Sequence, residues 1–582
     1  MDGSETARWA RLHWPIVTEF AHRLARILAD RSDTLFGVPG GGPNLDVVGA
    51  ATAEGMRFVL AHAEASAAIM ASTYGLLTGG PSGVVVTRGP GATSAANGAA
   101  QATLDRYPLV VITDTVTAAQ TPRISHQRFD QRALFQPITV ASITASSSAA
   151  PAEAADDEPV EHAAADLGTI IDRAAQWPLG AVHLDYDPTA TTDQHAPPHL
   201  VPPALPPVAD RIGPAAELMM PSRRPVVIVG MEAAWLDHQA ALTGAEPPIR
   251  RLVEELACPV LTTYQAVGLV PTEGTLNAGI YTNGALEQPV LDEADLLLMI
   301  GVDTVEPIPT AWRQTAPVIT ISAADPIDAF IPADVSLHGD LATMAHQLVS
   351  TVRHREWAHT WSPDAAAVLR ADARRALRPN ARPLASAAPG GATGERFSPV
   401  TLVDALLDGL AGADQPPVAT VDAGAHFLAI MPRWPVARPF DLLISNGLAT
   451  MGFAVPAAIG AALAHPGRPV LALCGDGGLS MTMAELETIA RLDLPITVVV
   501  FNDSALSLIA VKQEPGHGGD AAIRYRPTDF ATIGRASGLD GFVADSADDV
   551  RDLMSESWIK PRLIDARIDP GDYRHLIEAT RG

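Results

Sequence analysis

Asp476 and Asp503 stand 27 residues apart, each close behind an apolar run. Val470-Leu471-Ala472-Leu473 leads into Gly475-Asp476-Gly477, and Ile496-Thr497-Val498-Val499-Val500-Phe501 leads into Asn502-Asp503. Met483, Leu486, Ile489, Ala490 and Leu492 recur at helical spacing between them, so the segment reads as strand, helix and strand with parallel neighbouring strands. Adjacent strands lie about 4.8 Å apart, so two carboxylates leaving the same strand ends can converge on one cation. Glycines around Asp476 let backbone approach a ligand closely, and Gly478-Leu479-Ser480 opens a helix whose N-terminal amides favour phosphate. Oxygen ligands beside phosphate point to a hard cation, most simply magnesium.

Other segments carry suitable residue types but admit two readings each. Glu64 lies in Ala61-His62-Ala63-Glu64-Ala65-Ser66-Ala67-Ala68, where small neighbours allow close helix packing that would dry a carboxylate; a surface glutamate is the alternative. Met451, in Gly447-Leu448-Ala449-Thr450-Met451-Gly452-Phe453, is either core packing or the wall of a ligand site. His426, after Gly424-Ala425, suits a structural role by itself. Pro39-Gly40-Gly41-Gly42-Pro43 either lines a channel or is a turn that starts a helix. Lys512 and Gln513 either donate to a substrate or face solvent.

These residues need rigid strand ends to hold them. Apolar runs bounded by Gly and Pro alternate with segments of helical period, the pattern of α/β domains with doubly wound parallel sheets. Low-complexity stretches at Ser146 to Asp166, Thr191 to Val208 and Pro379 to Ser398 mark a surface loop and two linkers. Three domains are expected, at 12–190, 209–355 and 396–575, each of ordinary single-domain size. The outer two share an order of elements. Val84-Val85-Val86, Gly89-Pro90-Gly91, a helix ending at Asp105 and a strand led by Pro108 parallel Val470 to Leu473, Gly475-Asp476-Gly477, a helix ending near Asp493 and a strand led by Pro495.

The chain has 582 residues, 47% of them hydrophobic and 18% charged, which suits large packed cores rather than disorder. A formal charge of -26 opposes nucleic acid or an anionic membrane as a partner. Cys258 and Cys474 are too few for a disulfide framework or a thiolate zinc site. No basic-then-apolar leader and no apolar stretch of about 20 residues is found, so a cytoplasmic protein is expected.

Gly475-Asp476-Gly477 with Asn502-Asp503 resembles the motif of the thiamine diphosphate (ThDP) enzymes. The run from Phe36-Gly37-Val38-Pro39-Gly40-Gly41 through Glu64 to Arg88-Gly89-Pro90-Gly91-Ala92-Thr93 is similar to the pyrimidine domain of the acetolactate synthase branch. The resemblance covers nearly the whole chain and implies an N-terminal pyrimidine-binding domain, a central domain and a C-terminal diphosphate- and metal-binding domain. It implies that Asp476 and Asp503 bind magnesium through side chains and Ala505 through its carbonyl. Gly424, Ala425, His426, Gly475, Gly477, Gly478 and Leu506 would line the diphosphate. Ala449 would offer its carbonyl to the cofactor's exocyclic amine, Met451 would wedge the cofactor into a bent shape, and Glu64 would be the activating carboxylate. Because that glutamate and the diphosphate site come from different subunits in the family, a homodimer or homotetramer is implied.

The match is uneven. Asp503 replaces the usual Asn, adding negative charge beside the diphosphate. In Ile124-Ser125-His126-Gln127-Arg128-Phe129-Asp130-Gln131, Phe129 is kept while Asp130 replaces a catalytic-pocket Gln, leaving His126 and Gln127 as the candidate polar pair for substrate. A lysine expected after Val182-His183-Leu184-Asp185 is missing, and Asp303 lies in the segment where the synthases carry an arginine for the acceptor carboxylate. Gly230-Met231-Glu232-Ala233 lacks a glycine-rich turn, so bound FAD is not favoured. The expected activity is a lyase or transferase that decarboxylates a 2-oxo acid and transfers the acyl carbanion to a carbonyl acceptor. A non-ligating decarboxylase and an inactive cofactor-binding homologue are the alternatives.

Overall fold

A computed structural model describes residues 18–117, 119–145, 166–187, 189, 199–200, 211–323, 331–378, 397–413, 415–513, 519–556 and 560–582. Most of each predicted low-complexity stretch lies outside these residues. The strands form three sheets. In the first the order is Arg57–Leu60, Thr34–Val38, Ser82–Val86, Leu109–Asp114, Ala181–Tyr186 and Ala141–Ala145, all parallel. The short His199–Leu200 adds an antiparallel edge, a feature that the alternation of apolar runs does not predict. The second sheet runs Asn277–Ile280, Val260–Thr262, Pro225–Val229, Leu296–Ile300, Val318–Ser322 and Val335–His338, and the third Leu442–Ile444, Val418–Val421, Val470–Gly475, Ile496–Asn502, Arg562–Arg567 and Asp540–Ala544. Both are parallel throughout. Central strands such as Leu109–Asp114 and Ile496–Asn502 are buried along their whole length, which is why they read as unbroken apolar runs. Among the described residues no helix is long and apolar enough to cross a membrane.

Each sheet contains a place where connections leave neighbouring strands in opposite directions, a position at which α/β sheets open a crevice at their carboxyl edge. In the first sheet it lies between Thr34–Val38 and Ser82–Val86, and in the third between Val418–Val421 and Val470–Gly475. The corresponding crevice of the second sheet is filled by the chain itself. A Cβ at Gly230 would stand 2.3 Å from Val302 Cα. The Glu306 carboxylate accepts the Met231 N–H at 3.1 Å and the Asp303 N–H at 2.7 Å. The start of the Met231–Leu242 helix, where a phosphate would otherwise dock, is therefore satisfied internally.

The outer units are clamped together within the chain. The Glu64–Thr78 helix packs on the Ala454–Ala464 helix so closely that a Cβ at Gly460 would lie 2.5 Å from the Met70 carbonyl oxygen. Asp105, fully buried at the end of the Pro90–Leu104 helix, accepts the Gly447 N–H at 2.6 Å and the Leu448 N–H at 3.2 Å. Burial pushes its pKa up to about 6, against the hydrogen bonds that favour its charged form. An unfolded Asp releases its proton near 4, so the native state holds the extra proton between the two values and the stability this gives is lost as pH rises from about 4 to about 6. The stability of the unmodified protein relative to Asp105→Asn should therefore fall by up to about 3 kcal/mol over that window and level off above it. Urea midpoints of both proteins at several pH values would measure this, and a difference independent of pH would refute it.

Candidate active site

The reversal point of the third sheet gathers three strand ends. Asp422 follows Val418–Val421, Asp476 follows Val470–Gly475, and Asp503 follows Ile496–Asn502. Register pairs Gly475 with Phe501, so the chain leaves both strands at the same level. Asp476 and Asp503 converge on one amide: the Ala505 N–H lies 3.2 Å from Asp476 Oδ2 and 3.1 Å from Asp503 Oδ1. Asp476 also accepts the Gly477 N–H at 2.7 Å, and Asp503 accepts the Ser507 hydroxyl at 2.6 Å. Burial raises Asp476 to about 6; burial and then the neighbouring Asp476 charge raise Asp503 to about 7. A buried acidic pair of this kind is costly unless a cation joins it. Among the described residues no group of three or more His, Cys, Asp or Glu side chains gathers as a metal site, so phosphate or backbone oxygens would have to complete the shell.

Asn502 does not join the pair. Its amide donates to the Thr528 carbonyl at 3.0 Å and to Asp565 Oδ1 at 2.8 Å, because successive strand residues point to opposite faces.

A cavity of about 520 Å³ opens on the acidic pair. Gly424, Ala425, His426, Gly475, Gly477, Gly478, Ala449, Met451, Ala505, Leu506 and Lys512 all line it, as the sequence reading expects of neighbours of one site. Gln513 is not among its walls. A Cβ at Gly477 would stand 2.9 Å from Leu506 Cδ2 and 3.3 Å from Met451 Cε, so a side chain there would close the gap between wedge and helix. The His426 ring is buried, burial lowers its pKa to about 4, and its Nε2 has no hydrogen-bond partner among the described residues. An orphaned buried nitrogen, a glycine-walled cradle and a paired acidic end fit a diphosphate held through a divalent cation.

Asp422 is a site residue that the sequence reading missed. Its buried carboxylate accepts the Gly452 N–H at 3.1 Å and the Phe453 N–H at 2.9 Å, pinning the turn that carries Met451. A Cβ at Gly478 would collide with Asp422 Oδ2 at 1.8 Å. Its position after a strand, followed by a glycine two residues on, is the available signal. Ala449 has a left-handed φ of 54°, held by the Asp105 clamp on one side and by the Thr450 N–H to Ser445 hydroxyl bond on the other.

The second set of candidates surrounds the reversal point of the first sheet. Glu64 begins the Glu64–Thr78 helix and is half-buried. The amides of His62 and Ala63 just before it both reach Glu485 Oε1 at 3.1 Å, which fixes the helix start on the third unit. A Cβ at Gly91 would lie 3.4 Å from Glu64 Oε1, so Gly91 leaves this carboxylate an open face. A Cβ at Gly40 would strike Thr87 Oγ1 at 2.6 Å, whereas Gly41 faces open space. His126, Gln127 and Phe129 lie on an exposed loop, Gln127 with a left-handed φ of 56° against Gly89, and Phe129 is 41% exposed. Asp130 caps the Gln131–Phe135 helix. Buried Gln131, another residue the sequence reading passed over, accepts the Gly89 N–H at 2.8 Å and steadies that turn. None of these residues lines the cavity of their own chain.

In the central unit, Asp303 is held by Arg106 through two hydrogen bonds of 2.8 and 2.9 Å. Asp303 is thus tied up in an internal ion pair.

Comparison with known proteins agrees with this layout. Residues 18–134, 212–348 and 422–566 match the thiamine pyrophosphate enzyme N-terminal TPP binding domain, central domain and C-terminal TPP binding domain, respectively. The chain is 30% identical to "Acetolactate synthase" of Bacillus subtilis over 93% of this chain and 91% of that protein. It is 31% identical to "Probable 2-ketoarginine decarboxylase AruI" of Pseudomonas aeruginosa, over 88% of this chain and 87% of that one. It is 27% identical to "Acetolactate synthase, catabolic" of Raoultella terrigena, over 88% of each. The chain belongs to the thiamine pyrophosphate enzyme family, in the branch that resembles the acetolactate synthases.

Proposed function

We propose that the protein is a ThDP- and magnesium-dependent enzyme that decarboxylates a 2-oxo acid and joins the resulting acyl unit to a carbonyl acceptor. The convergence of Asp476 and Asp503 on the Ala505 amide, at the mouth of the glycine-walled cavity, carries this reading. ThDP supplies a nucleophilic carbon and an electron sink when bound. Asp476, Asp503 and the Ala505 carbonyl would hold the cation; Gly424, Ala425, His426, Gly475, Gly477, Gly478 and Leu506 would hold the diphosphate. Met451 and Ala449, both on the cavity wall, would contact the middle and the aminopyrimidine end of the bound cofactor. Glu64 would exchange a proton with that end, His126, Gln127, Phe129, Gly40 and Gly41 would border the substrate, and Lys512 would approach from the other side.

Glu64 and the cavity are separate within one chain, so a homodimer is the smallest complete unit in this reading, and tetramers are compatible with it. Ile509 and Tyr525, beside the cavity, are 51% and 46% exposed and offer apolar surface to a second copy. We place the protein in the cytoplasm and assign no FAD to the central unit.

The test is to incubate the protein with ThDP, magnesium and a panel of 2-oxo acids and to follow products by NMR. Acetohydroxy acids or acyloins support carboligation; aldehyde and carbon dioxide alone favour the decarboxylase reading, which the 31% identical relative motivates. Cofactor retention should depend steeply on the divalent ion, because Asp503 adds a second buried carboxylate beside the diphosphate. Prolonged dialysis against a chelator should leave protein free of ThDP by absorbance, and ThDP that stays bound would contradict the assignment of Asp503.

A further inference from the structure

Two cations line the same cavity without an acidic partner among the described residues. Lys512 ends the Ser507–Lys512 helix, exposed at the mouth, and half-buried Arg581 ends the Tyr573–Arg581 helix that packs beside it. Among the described residues neither makes an ion pair, although the chain carries far more acid than base. Other arginines near domain contacts are matched, as Arg106 is by Asp303 and Arg468 by Asp441. Burial and then the positive charge of Arg581 hold the Lys512 pKa below its usual value. No acid contributes to that shift, although Asp476 and Asp503 line the same cavity. Like charges brought together in a partly desolvated cavity are unfavourable unless an anion joins them.

The geometry points to Lys512 and Arg581 as a subsite for a carboxylate that stays on the substrate through the reaction. This rests on the function proposed above. A leaving carboxylate is a poor candidate for the pair, because two cations would stabilise the ground-state charge that decarboxylation must disperse. The diphosphate is the competing anion, because Asp476 and Asp503 already offset the charge of one divalent ion, and ThDP affinity separates the two cases. The retained carboxylate has two chemical sources: a second acidic group on the donor, as in a 2-oxo dicarboxylic acid, or the carboxylate of an acceptor 2-oxo acid. Tyr264 and Ile308 from the central unit line the same cavity and limit the length of chain that fits.

The experiment compares the unmodified protein with Lys512→Met, Arg581→Met and the double variant, each loaded with ThDP and magnesium. ThDP affinity is read first, by quenching of intrinsic fluorescence, and should stay within about twofold in all four proteins. In one arm, heats of titration are compared for 2-oxoglutarate and 2-oxopentanoate, which differ by the second carboxylate. In the other, pyruvate alone is supplied and the ratio of acetolactate to acetaldehyde is measured. We expect the double variant to lose at least about tenfold in the preference for 2-oxoglutarate or in the acetolactate ratio, and the arm that changes names the source. The proposal is overturned if both ratios match those of the unmodified protein. It is also overturned if ThDP affinity falls in step with them, because the pair would then serve the diphosphate. If the unmodified protein binds no ThDP at all, the proposed function fails first and the subsite with it.

Discussion

Glu64→Gln should abolish nearly all turnover while leaving ThDP and magnesium bound. General acid–base groups contribute about 10²–10⁴-fold, and the substitution removes the proton-transferring group while keeping its size and its place at the start of the Glu64–Thr78 helix. The amides of His62 and Ala63 would still reach Glu485, so the helix start should not move. The decisive comparison is kcat on the best 2-oxo acid against ThDP affinity measured on the same sample. A variant that keeps more than about a tenth of the rate would remove Glu64 from the proposed chemistry.

Asp476→Ala should have the opposite signature, with cofactor affinity collapsing and the apo protein no less stable. Outer partners of a metal ligand cost roughly 10–100-fold in affinity when removed, and a direct ligand should cost more. Stability should hold because burial raises the Asp476 pKa to about 6, so ionising it in the cofactor-free fold is unfavourable. Titration of ThDP in the presence of magnesium, with a parallel thermal melt, checks both parts. Mixing this variant with Glu64→Gln adds a test of how the site is assembled. If each site takes Glu64 from one subunit and Asp476 from another, random mixed dimers should recover about a quarter of full activity. No recovery would place both residues in the same chain's site.

The metal end of the site was legible because its information is local. The spacing of Asp476 and Asp503 across one strand, helix and strand follows from strand geometry, and the shared Ala505 amide is where that reasoning leads. Asn502 shows the limit of the same logic: alternation along a strand turns every second side chain away, and this one serves Asp565 and Thr528. Asp422 sits at a third strand end 54 residues before Asp476, and its role depends on a turn at Gly452 that no local pattern announces. Arg581 was harder still, since it reaches the cavity only because the final helix folds back beside Ser507–Lys512.

The sequence alone determined the α/β class, the three sheets, the thiamine pyrophosphate motif and the acidic pair, because apolar periodicity and close spacing are properties of neighbouring residues. Only the tertiary structure decided that the central crevice is filled by Glu306, that Asp303 pairs with Arg106, that two cations in the cavity have no acidic partner among the described residues and that Glu64 lies outside the cavity of its own chain. Those outcomes turn on contacts between segments far apart along the chain, 75 residues for Met231 and Glu306 and 197 for Arg106 and Asp303, where burial and charge pairing are set by which elements pack together.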